Sequence, residues 1–102
     1  MTLSEETKDK IYQVADHYDE ESQTDMLIEE MSELIKALLK NRRARKGYTD
    51  TPVRQTICNI EEEIADVLVM LIQIIYLADF EDIEEIIEEK LDRQLERIAA
   101  EK

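Results

Sequence analysis

Apolar residues recur every three to four positions along almost the whole chain, and that period divides it into four amphipathic helices. The first carries Ile11, Val14, Ala15 and Tyr18 on one stripe. Ser4 is placed to cap its free amides, and Glu5 and Glu6 complement the positive end of its dipole. The polar stretch 19–23 reads as a loop, with Ser22 capping the second helix. That helix turns Leu27, Met31, Leu34, Ile35 and Leu38 inward and ends in Lys40, Arg42, Arg43, Arg45 and Lys46 before Gly47, a natural stop. Thr51 followed by Pro52 predicts the start of a third helix over roughly 52–77, a capping hydroxyl and then a ring that fits the first helical turn.

The third helix is the most hydrophobic. Ile57, Ile60, Ile64, Val67, Leu68, Leu71 and Ile75 make a broad face, and Val69, Ile72 and Tyr76 carry apolar character further around the cylinder. A helix apolar over so much of its girth is buried on more than one side, so it is expected to be the central element and to touch a partner subunit. Asp79 is placed to cap a fourth helix carrying Ile83, Ile87, Leu91, Leu95 and Ile98. The expected fold is all-α: one four-helix bundle-like domain over 1–102, oligomerising as a homodimer or homotetramer through the central hydrophobic helix.

Composition narrows the function. One glycine and one proline in 102 residues leave little to interrupt helices. With 26 acidic against 13 basic side chains, the net charge of −13 repels a nucleic-acid backbone. A lone cysteine, Cys58, forms no internal disulfide and reads as a core thiol in a reducing compartment. The richest apolar run, 67–75, is interrupted by Gln73 and too short to span a bilayer, and no signal segment is evident. The expectation is a cytoplasmic protein with neither nucleic-acid nor membrane partners.

Against this background two acidic pairs stand out, Glu30 with Glu33 and Glu63 with Asp66. A spacing of three sets two carboxylates about 60° apart on one helical face. Both pairs border an apolar seam, so antiparallel packing of the second and third helices would bring four acids to the rim of the core. Like charges that close disfavour each other's ionisation unless a cation sits among them, and all-oxygen donors suit magnesium, manganese or calcium. The plain alternative is a charged flank of a non-catalytic helical interaction module. On the fourth helix Lys90, Arg93 and Arg97 form a basic stripe fit for phosphate oxygens, or for pairing with acids of their own helix. The basic run 40–46 reads first as a solvated helix end, with contact to a phosphate tail as the second reading. A di-iron centre would need histidines in the motifs, and the only one, His17, lies outside them as an expected surface residue.

The segments QTDMLIEEMSELIKALLK and NIEEEIADVLVMLIQI resemble the MazG-like all-alpha nucleoside triphosphate pyrophosphohydrolases, with their Glu-Glu-x-x-Glu, linker and Glu-x-x-Asp pattern. The pattern falls on Glu29, Glu30, Glu33, Glu63 and Asp66, and Ala65 to Leu68 matches the family's continuation. The linker is at the long end for the family, and Asp19 stands where many relatives have glycine. The resemblance implies cleavage of the α–β phosphate bond of a nucleoside triphosphate, with Glu30, Glu33, Glu63 and Asp66 holding Mg2+, or Mn2+ in its place. It also implies Glu29, Glu33 and Glu63 as the acids of catalysis, and Gln23, Lys90, Arg93 and Arg97 as substrate contacts. The related phosphoribosyl-ATP pyrophosphohydrolases share the acidic pattern but tend to carry a Tyr-His pair after the second motif that is absent here.

Overall fold

The computed structural model describes residues 1–101, and among them every regular element is a helix: α1 (Glu5–His17), α2 (Glu20–Arg45), α3 (Val53–Ala78) and α4 (Ile83–Ala100). The all-α class and the four helices are those that the periodicity predicts. Ser4 caps α1 as expected, its Oγ accepting from the Thr7 amide at 3.1 Å.

Three boundary assignments are corrected. Asp19, not Ser22, caps α2: its carboxylate accepts from the Ser22 amide at 2.6 Å, so the polar stretch is the first turn of the helix rather than a loop. Glu20 and Glu21 lie in that first turn, where negative charge complements the positive end of the helix dipole. At α3 the cap position falls on Pro52, and no side chain bonds the first amides, so Thr51 does not cap. Asp79 does not open α4. It closes α3 in the left-handed conformation (φ 54°), with the Phe80 amide bonded to the Ile75 carbonyl at 3.1 Å. Short polar side chains tolerate that region better than most. Gly47 does the same work for α2 at φ +73°, where the Gly47 amide reaches Ala44 O and the Tyr48 amide reaches Arg43 O, both at 3.0 Å.

The α2 and α3 helices make the main packed pair. Two buried side-chain bridges set their register: Gln23 Nε2 donates to Gln73 Oε1, and Asn41 Nδ2 donates to Thr56 Oγ1 at 3.0 Å. Position 23 therefore faces 73 and position 41 faces 56, an antiparallel pairing that sets Glu30 opposite Asp66 and Glu33 opposite Glu63. The seam itself differs from the expected one. On α2 it runs through Gln23, Leu27, Glu30, Leu34, Ala37, Asn41 and Ala44, alternating four and three residues as knobs-into-holes packing requires. Met31, Ile35 and Leu38 lie about 60–120° around the helix from Gln23 and are exposed. The α3 helix repeats the arrangement, with Thr56 and Val67 buried in the seam and Ile57, Ile64 and Leu71 open. Cys58, expected in the core, is exposed because it sits on the side of α3 opposite Thr56, Ile60 and Val67.

The α1 helix lies on α3 through Ile11 and Ala15, a stacked pair of Tyr12 and Tyr76 with ring centroids 4.5 Å apart, and a hydrogen bond from Tyr76 Oη to Asp16 at 2.8 Å. That bond and burial raise the Tyr76 phenol above its ordinary pKa. His17 is exposed, edge-on to the Tyr18 ring. The α4 helix has no buried residue and makes no extended interface with the other three.

Candidate metal centre

Glu30 and Glu63 occupy seam positions and are half-buried, whereas Asp66 sits one step outside and is exposed. One carboxylate oxygen from each of Glu30, Glu63 and Asp66 lies within 4.8 Å of the others. The α2–α3 register brings them together: the first comes from one helix, the other two from one turn of its antiparallel neighbour. Glu33, named with them on spacing, is not in this trio. It is exposed on the same side and bridges Lys36 at 3.4 Å, and it shares a shallow groove with Glu63, Lys36, Lys40 and Asn59. Glu29 is exposed and outside the trio.

Electrostatics single out Glu30 within the trio. Burial, and after it the charges of Asp66, Glu63, Glu29 and Glu33, raises the Glu30 carboxyl above the ordinary glutamate range. The Oε2 atom of Glu63 is buried and has no hydrogen-bond partner. A buried carboxylate oxygen with nothing to accept from is costly, and natural proteins leave few. The three oxygens can converge on one hard cation, which would discharge the repulsion. The donor set is all-oxygen and suits Mg2+ or Mn2+.

The remaining expected contacts are dispersed. Gln23 is buried, its amide spent on Gln73, and it lines a cavity of about 640 Å³ with Tyr18, Met26, Val69 and Met70. In the α2–α3 register this cavity flanks the trio on the side away from the Gly47 turn. Lys90, Arg93 and Arg97 line a pocket with Gln94 on α4 alone, and no carboxylate borders it. Sequence reasoning passed over Asn59 and Lys36, which border the groove beside Glu63. The signal available was their spacing: Lys36 follows Glu33 by three, and Asn59 precedes Glu63 by four.

A family model described as the MazG nucleotide pyrophosphohydrolase domain matches residues 18–98. No curated protein matches the chain, and no solved structure does. No helix among the described residues is long and apolar enough to cross a membrane.

Proposed function

Because the chain belongs to the MazG nucleotide pyrophosphohydrolase family, we propose that it hydrolyses nucleoside or deoxynucleoside triphosphates between the α and β phosphates. Water attacks the α-phosphorus, the bond from that phosphorus to the bridging oxygen breaks, and the oxygen leaves with pyrophosphate, giving a nucleoside monophosphate. The observation that carries the reading is the trio of Glu30, Glu63 and Asp66 within 4.8 Å, with a buried, unpartnered oxygen on Glu63. These residues would hold Mg2+, with Mn2+ as a substitute, and the ion when bound supplies charge neutralisation and a more acidic water. Glu33, beside Lys36 and on the groove side of Glu63, is assigned to accept the proton of the attacking water. Glu29, turned to solvent, adds its charge to the field at Glu30.

The nucleoside occupies the cavity beyond Gln23, where Tyr18, Met26 and Met70 offer an apolar wall and the Gln23–Gln73 pair fixes its floor. Lys90, Arg93 and Arg97 are assigned to reach phosphate from a second copy, since the pocket that they line holds none of the carboxylates. We therefore place the enzyme as a homodimer or homotetramer acting on nucleotides in the cytoplasm.

Incubating the chain with common and damaged triphosphates, with Mg2+ or Mn2+, and separating the products by ion-exchange chromatography tests the reading. Monophosphate and pyrophosphate in equal amounts are expected. Orthophosphate as the first product contradicts the bond of cleavage, and no metal-dependent turnover on any triphosphate contradicts the activity.

A further inference from the structure

The groove between α2 and α3 continues past the carboxylates toward the Gly47 turn, and its charge reverses along the way. Beside Glu33 and Glu63 its walls carry Lys36, Lys40 and Asn59. Further on they carry Lys40, Arg43, Thr51, Gln55 and Asn59. Lys40 and Asn59 border both stretches, which makes them one trough. Lys36, Lys40 and Arg43 follow Glu33 by three, seven and ten residues, so they climb the same side of α2 to about 15 Å beyond it.

Lys36 is paired with Glu33, but Lys40 and Arg43 are not absorbed by the fold. Neither Lys40 nor Arg43 has an acidic residue three or four positions away on α2, and neither makes an ion pair among the described residues. The floor beneath them is already satisfied. Thr56 Oγ1 accepts from Asn41 and donates to Val53 O at 2.6 Å, and Asn41 Oδ1 accepts from Arg45 Nε at 3.0 Å. A settled polar floor under a rim of unspent donors suits a multiply charged anion, which is otherwise repelled by a chain of net charge −13.

We propose that this trough holds the diphosphate end of the substrate, the part that departs as pyrophosphate, through Lys36, Lys40, Arg43 and Asn59. The assignment rests on the trio being the point of cleavage and gives the substrate a direction. The nucleoside lies toward the Gln23 cavity, and the diphosphate runs along α2 toward Gly47. The basic run 40–46 is then divided: Lys40 and Arg43 face the trough, while Arg42 is not among the residues that line it.

The test is calorimetric titration of inorganic pyrophosphate, with Mg2+ present, into the wild-type chain and the double variant Lys40→Gln/Arg43→Gln. Both side chains are exposed, so the variant keeps its fold, which its melting temperature checks. The expected result is at least a ~10-fold loss of pyrophosphate affinity from removing two charged contacts, with Mg2+ binding alone unchanged. Arg42→Gln keeps wild-type affinity. In turnover the double variant shows a raised KM and weaker inhibition by pyrophosphate. Equal pyrophosphate affinity in wild type and double variant overturns the trough even if triphosphates are hydrolysed, and so does a wild-type chain that binds no pyrophosphate. A wild-type chain that hydrolyses no triphosphate, yet loses pyrophosphate affinity on Lys40→Gln/Arg43→Gln, overturns the hydrolase reading and upholds the trough.

Discussion

Glu30 and Glu63 stand in seam positions where heptad packing ordinarily places apolar side chains, and each bears a cost that a bound cation would relieve. Glu30 is the clearer case for pH. Its folded carboxyl holds a proton at pH values where the unfolded chain has released it. The folded state therefore loses stability as pH rises through the window between the ordinary glutamate value and the raised one, and regains it on acidification. Without metal, Glu30→Gln is expected to melt higher than wild type at neutral pH, and the gap is expected to close as pH falls through that window. Thermal denaturation across a pH series measures both. Glu63→Gln is expected to abolish the rise in melting temperature that Mg2+ gives the wild type. It should cut turnover by more than about 100-fold, beyond the 10–100-fold typical of groups that only support a ligand. Retained turnover would remove Glu63 from the ligand set.

The helices are held together by side-chain amides as much as by oil. The Gln23–Gln73 bridge is buried on both sides, so removing one partner strands the other. Gln23→Leu or Gln73→Leu alone is expected to cost about 1–3 kcal/mol, while the double Leu variant recovers most of the loss. Urea denaturation of the three variants reads the coupling, and additive losses would mean that the bridge is not a unit. The helix ends give a second pair of outcomes. A Cβ at Gly47 would meet nothing within 4 Å, so Gly47→Ala suffers only from its left-handed backbone and is expected to lose about 1 kcal/mol. Asp79→Gly, at the equivalent position of α3, is expected to gain a few tenths to 1 kcal/mol by the same reasoning reversed.

A single copy is loosely built. Its radius of gyration of 17.3 Å exceeds the roughly 13 Å of a compact chain of this length. The buried apolar residues are mostly small: Ile11, Ala15, Leu27, Ala37, Ala44 and Val67. Meanwhile Ile35 and Leu38 on α2, Ile57, Ile64 and Leu71 on α3, and Ile87, Leu91, Leu95 and Ile98 on α4 remain open to solvent. Exposed apolar stripes on three successive helices are candidate contact surfaces, and a second copy that buries them would also bring Lys90, Arg93 and Arg97 into play. Light scattering after size exclusion is expected to give a dimer or tetramer, and Leu91→Glu/Leu95→Glu is expected to shift it to monomer with a lower melting temperature. A monomeric wild type would defeat the assembly.

The sequence by itself determined the helices, because local period, capping side chains and the scarcity of breakers act over a few residues. It likewise carried the two acidic pairs and the family pattern, which are spacings along one chain. Only the tertiary structure decided which face of each helix turns inward. Periodicity marks an apolar stripe but does not say whether it meets its own chain or another, and in α2 the polar stripe of Gln23, Glu30 and Asn41 won because each finds a partner or a shared site across the seam. For the same reason the antiparallel register, and not the motif, separated Glu30, Glu63 and Asp66 from Glu33 and laid Lys36, Lys40 and Asn59 beside them.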